Sequence, residues 1–133
     1  MHRSRLSTIV IDCNDATFER DAKFWSDAFG RALMPQENPR YTTLKGRVAG
    51  EGSPFVLLQR VPAHEAAVHL DVETDDVEAE VKRLEGLGAR VKSRIRNHVV
   101  MIAPSGHALC VVPTHRPDFP GKSATWSESS STD

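Results

Sequence analysis

His69 is the residue of this chain best placed to do chemistry. It sits in AVHLDVE (67–73), an otherwise apolar stretch that then turns into a helical pattern. An imidazole there can ligate a metal, contact a substrate, or stand as a hydrogen-bonded polar group that a core tolerates. Strand alternation decides which residues accompany it. If 67–73 is a strand, Asp71 and Glu73 share the His69 face, and Val68, Leu70 and Val72 form a wholly apolar face to pack under a helix. The opposite register would bury His69, Asp71 and Glu73 beneath that helix at a large desolvation cost. In LSTIVIDC (6–13) the same rule sets Thr8, Val10 and Asp12 against Ile9, Ile11 and Cys13. In HALCVVP (107–113) it sets Ala108, Cys110 and Val112 against Leu109 and Val111.

Other chemistries find less support. A thiolate–imidazolium nucleophile from Cys110 and His69 needs hydrogen-bond geometry and a lowered thiol pKa, which residue types alone do not supply. His64 and His69 have no third ligand nearby, and Cys13 and Cys110 form no CxxC or zinc pattern. AGEGSP (49–54) has glycines but lacks the strand–loop–helix context of a phosphate loop. No Ser-His-Asp pattern is recognisable. Lys92, Arg94, Arg96 and His98 alternate along one segment. Such a row either rims a site for an anion or keeps a strand edge solvated.

The elements that must hold these residues follow from periodicity. LSTIVIDC is rich in β-branched residues and reads as a buried strand. NDATFERDAKFWSDAFG (14–30) places Phe18, Ala22, Trp25 and Phe29 on one helical stripe, with Asn14 or Asp15 as N-cap and Gly30 as the left-handed C-terminal residue. Three strands follow: RALMPQ (31–36), RYTTLKG (40–46) and PFVLLQRV (54–61). After the linker VPAHEAA the order recurs. AVHLDVE is a strand, and DDVEAEVKRLEGLG (75–88) is a helix with Val77, Val81 and Leu84 on one face and a capping-box spacing from Asp75 to Glu78. ARVKSRIR (89–96), HVVMIA (98–103) and HALCVVP (107–113) complete a second set of three strands. The chain therefore contains β-α-β-β-β twice, in modules 6–61 and 67–113 of one domain spanning 1–113. Two such units side by side would make an α+β half-barrel with a concave cleft between curved sheets. The tail, 114–133, is polar, Ser-rich and without period, so it is expected to be mobile.

The totals bound the partners. A chain of 133 residues with 39% hydrophobic and 26% charged residues can bury a core without disulfide or metal staples. A net charge of −1, with both signs dispersed, gives no electrostatic case for nucleic acid or a membrane surface. No apolar run is long enough to span a bilayer. MHRSRLST lacks the apolar core of a secretory signal, and two cysteines in apolar runs suit a reducing cytoplasm.

The paired order, with FVLLQRVP (55–62), HLDVETDD (69–76) and APSGHALCVV (103–112) arriving in sequence, resembles the vicinal oxygen chelate superfamily and, within it, the glyoxalase-like domain branch. That superfamily includes glyoxalase I, bleomycin-resistance proteins and extradiol dioxygenases. The resemblance covers roughly residues 6 to 113 and implies the half-barrel fold. It also implies a divalent-metal site at Thr8, Gln59, His69 and Cys110, the positions that match the ligand-bearing strands of metal-dependent members. Only His69 is a good match. Thr8 keeps its proton, Gln59 offers a neutral amide oxygen, and a Cys110 thiolate prefers softer metals. On this reading the cleft gathers Thr8, Asp12, Gln59, His69, Asp71 and Cys110 as ligand-binding residues, with no metal and no other cofactor. The expected function is the binding of a small, partly apolar molecule, as bleomycin-resistance proteins sequester their drug. The alternative is a metal-dependent lyase, isomerase or dioxygenase holding a divalent ion. The resemblance further implies a homodimer.

Overall fold

The computed structural model describes residues 1–62, 67–114 and 116–127. The linker residues 63–66, with His64, and the end of the tail, 128–133, lie outside the described residues. Among those described, no helix is long and apolar enough to cross a membrane. The chain divides into two compact units, Thr8–His69 on one hand and Met1–Ser7 with Leu70–Asp133 on the other. The first seven residues thus fold with the second half of the chain.

In the Thr8–His69 unit, β1 (His2–Asn14) leads through a 3-10 turn (Asp15–Thr17) into α1 (Phe18–Phe29), then β2 (Leu33–Pro35), β3 (Tyr41–Leu44) and β4 (Phe55–Val61). Strand order is β2-β3-β4-β1, with β1 parallel to β4 and the other pairs antiparallel. Asn14 accepts from the Ala16 N–H and so caps the turn. Gly30 ends α1 at φ 64°, a conformation that costs glycine nothing. One face of α1 lays Phe18, Ala22 and Trp25 on Cys13, Leu44 and Leu58. Phe29, expected on this stripe, is instead 49% exposed and stacks on Trp25 at 5.5 Å. It lies in the last turn, where α1 has run past the sheet residues that form its core.

The other unit repeats the connection. β5 (Val68–Thr74), α2 (Val77–Gly86), β6 (Arg90–Ile95), β7 (His98–Ile102) and β8 (Ala108–Pro113) follow in order. The strands lie β5-β8-β7-β6, with β5 parallel to β8. This is the α+β, twice-βαβββ arrangement expected from the sequence. The cap of α2 is Asp76, which accepts from the Ala79 N–H, in place of the expected Asp75–Glu78 box. Val77, Val81 and Leu84 pack on Val91, Val99, Met101, Leu109 and Val111. These strands use up the apolar stripe of α2. Val68 and Leu70, expected beneath a helix, consequently remain 57% and 41% exposed.

Residues 116–127 carry no periodic pattern, yet they form regular elements. A 3-10 turn (Phe119–Gly121) buries Phe119, and β9 (Ala124–Trp126) pairs antiparallel with His2–Ser4 of β1. Buried charges hold this segment down. Glu73, expected to face a cavity, is ion-paired with Arg5 and accepts from Thr114 Oγ1 at 2.8 Å, while Arg5 also reaches Asp118 at 2.8 Å. Arg5 lies over the Phe119 ring at 5.4 Å. Nearby, the fully buried Glu80 binds Arg83 through two hydrogen bonds of 2.8 and 2.9 Å and His2 Nε2 at 2.9 Å. Arg83 in turn covers Trp126 at 3.8 Å, and the Trp126 indole N–H donates to Ser4 Oγ at 2.9 Å.

Burial pushes the Glu80 carboxyl up, but hydrogen bonds from Arg83, His2 and Ser4 outweigh it and hold its pKa below the ordinary 4.5. A depressed carboxyl contributes stability above the unfolded-state pKa and loses it as pH falls through the folded one. Glu80→Gln should therefore cost about 3–5 kcal/mol near neutral pH, the range for breaking a buried ion pair. In urea titrations at stepped pH, the gap between wild type and variant should be constant above pH 4.5 and shrink at more acid pH.

Candidate functional site

Strand pleating sorts the Thr8–His69 unit into two faces. Ile11, Cys13, Val56 and Leu58 pack under α1, so their alternates point to the other side. Register then aligns those alternates across the sheet. Asp12 lies opposite Gln59, and Gln59 opposite Tyr41, giving one polar row. Val10, Leu57 and Thr43 form the next row, which is largely apolar. Thr8 and Phe55 form the third, where Arg47 lies over the Phe55 ring at 4.7 Å.

His69 joins the polar row. Its Nδ1 lies 2.9 Å from Asp12 Oδ2, with the two side chains only 18% and 10% exposed. The Asp12 N–H donates to the Ala67 carbonyl at 2.7 Å, which pins the chain entering β5 beside β1. In the neutral ring, with Nδ1–H donating to the carboxylate, Nε2 is an acceptor. Gln59, with its amide oxygen turned toward Arg40, accepts from Nε and Nη2, both at 3.1 Å. Arg40 was not singled out from sequence. Its only signal is a place just before Tyr41, which becomes meaningful once β3 and β4 are in register.

Asp71 and Cys110 belong to the other unit. They are partners in the β5–β8 ladder, and a carboxylate oxygen of Asp71 and Cys110 Sγ lie within 4.8 Å. His69 precedes Asp71 by two residues on β5 and so shares its strand face. Of the six residues expected to act together, the structure hydrogen-bonds Asp12 to His69, sets Gln59 beside Asp12 in the strand ladder, places Thr8 two rows along the same face, and couples Asp71 to Cys110. Arg94, from the alternating basic row, is paired with Glu78 at 2.7 Å on the exposed β6.

The four positions matched to the superfamily's metal ligands do not fit a hard divalent cation. The Gln59 carbonyl oxygen already faces a guanidinium, which would repel a cation there. Thr8 offers a neutral hydroxyl, and Cys110 a soft sulfur.

The profile of the glyoxalase-like domain matches residues 8–112. No curated protein matches the chain in sequence. Among solved structures, a hypothetical protein from Bacillus halodurans C-125 is 12% identical, with a TM-score of 0.57 over 85% of this chain and 96% of that one. A glyoxalase/bleomycin resistance protein/dioxygenase superfamily member from Vibrio splendidus is 13% identical, with a TM-score of 0.52 over 83% and 97%. Methylmalonyl-CoA epimerase from Mycobacterium tuberculosis is 14% identical, with a TM-score of 0.51 over 84% and 88%. At such identities the likeness is one of fold.

The two thiols differ in reach. Cys13 is buried, and burial, then the nearby charges of Asp21 and Asp12, push its pKa up, whereas Cys110 is half-buried. A native-state titration with an aromatic disulfide reagent should report one reacting thiol, lost in Cys110→Ser, and a second only after unfolding.

Proposed function

Given that the chain belongs to the glyoxalase-like domain family, we propose that it binds a small, partly apolar molecule against the His69 face, without a metal. The observation that carries this reading is the Asp12–His69 hydrogen bond at 2.9 Å beside the Val10–Leu57 row. A carboxylate-oriented imidazole provides a directed acceptor for a ligand hydroxyl, and the neighbouring apolar row takes the ligand's body. The Arg40–Gln59 pair extends the polar end of the face.

A second reading rests on Asp71 facing Cys110. A carboxylate and a thiolate are donors that zinc accepts, and they differ from the superfamily's own set. On that reading the chain is a metal-dependent enzyme of the glyoxalase or dioxygenase type. The family resemblance further supports a homodimer, and two free thiols support a reducing, cytoplasmic setting. Sedimentation at high micromolar concentration should give a dimer; a lone monomer would count against it.

Protein purified without added metal should contain no stoichiometric divalent ion by elemental analysis. Catechol, a planar probe with two adjacent oxygens, should shift the amide resonances of Asp12, Gln59 and His69. His69→Ala should abolish those shifts while changing Tm by no more than a few degrees. Bound zinc that is lost in Cys110→Ser would replace the first reading with the second. Unfolding of His69→Ala without any catechol response in the wild type would make the residue structural.

A further inference from the structure

A cavity of about 310 Å³ opens within the Thr8–His69 unit on the α1 side of the sheet, lined in part by Phe18, Ala22, Leu33, Pro35, Thr42 and Arg60. It lies on the face opposite to His69. Thr42 pairs in register with Leu58, whose side chain packs under α1, whereas Gln59 and Asp12 point the other way. The function proposed above makes no use of it.

Two observations define what it would hold. The first is Thr42, which lines the cavity and is only 6% exposed. Among the described residues its hydroxyl has no hydrogen-bond partner, so it can pair with a group placed in the cavity. The second is Arg60 at the rim. Its guanidinium lies over the Phe18 ring at 4.1 Å and reaches Asp15 and Glu19, both at 3.2 Å, and the Pro39 carbonyl at 3.0 Å. Two carboxylates already face this one cation, so the rim has no uncompensated positive charge to attract an acid. The walls contributed by Phe18, Ala22, Leu33 and Pro35 are apolar and offer no carboxylate at depth to hold an amine. Of the polar residues that complete the lining, Gln36 donates to Thr43 Oγ1, Glu19 accepts from Arg60, and Tyr41 lines the space as well. What remains is a largely apolar space in which Thr42 supplies the more deeply buried hydroxyl. Its volume is at the small end of ligand cavities, which run from roughly 300 to 1,000 Å³, and suits a single ring.

We propose that this cavity is a second binding site, taking a small neutral ring compound whose one hydroxyl pairs with Thr42. Phenol is the probe, with toluene and benzoate as its apolar and anionic counterparts. In a two-dimensional amide NMR titration, phenol should shift Ala22, Leu33 and Thr42 in one saturable process. Toluene should bind more weakly, and benzoate more weakly still. Thr42→Val keeps the side-chain shape and removes the hydroxyl; it should weaken phenol by roughly tenfold and leave toluene unchanged. Thr42→Ser should retain phenol binding, and it carries the test if the valine variant fails to fold. The proposal is overturned if phenol gives no saturable shift at these residues, if benzoate binds more tightly than phenol, or if Thr42→Val binds phenol as well as the wild type. The first of these is the result expected if water alone fills the cavity. Because His69 takes no part, loss of the catechol response and loss of the phenol response are separate outcomes.

Discussion

A strand has two faces, and β1 has to satisfy opposite demands on them. Ile11 and Cys13 must disappear beneath α1, while Asp12, set between them, must carry a charge on the other side. Shifting the register by one residue would drive the carboxylate into the α1 core and expose the apolar pair. Everything described for the His69 face depends on this parity. It aligns Asp12 with Gln59 across the parallel ladder, and it lets the Asp12 side chain reach the imidazole while its own N–H ties down Ala67. The core and the site are thus fixed together, because alternate residues of the same strand supply both.

This coupling also explains what could be read from the sequence. Parity is a local property, so the alternation in LSTIVIDC and HALCVV was legible, and with it which of their residues pack on α1 and α2. The helices were legible from their apolar stripes, and the β-α-β-β-β order followed from the turns between runs. Partnership was harder. Arg40 engages Gln59 only because β3 pairs with β4 in one register, and nothing in the residue types announces that register.

Buried charge was hidden altogether. Glu73 reads as a cavity-facing residue of a strand and Glu80 as part of the polar face of a helix, yet each is almost wholly buried because a cation or an imidazole from a distant part of the chain meets it. Long-range complementarity of this kind leaves no periodic trace. The segment after Pro113 illustrates the same limit. Its composition, rich in serine and proline, reads as loose chain, but Phe119 and Trp126 supply two anchors, and Arg5 and Arg83 supply the surfaces on which they rest. Val68 and Leu70 err in the other direction. They alternate correctly, but α2 is only ten residues long and spends its stripe on other strands.

The pairing of β9 with the first residues of β1 has a mechanical meaning. His2 lies opposite Trp126 and Ser4 opposite Ala124, so the two strands run antiparallel with the outer ends of the described chain at the same edge. A force applied between those ends loads the ladder from its open side. The bonds then carry tension one after another, as in a zipper, and never share it as they would in shear. The seam between β9 and the first residues of β1 is therefore also where such a pull would first open this unit.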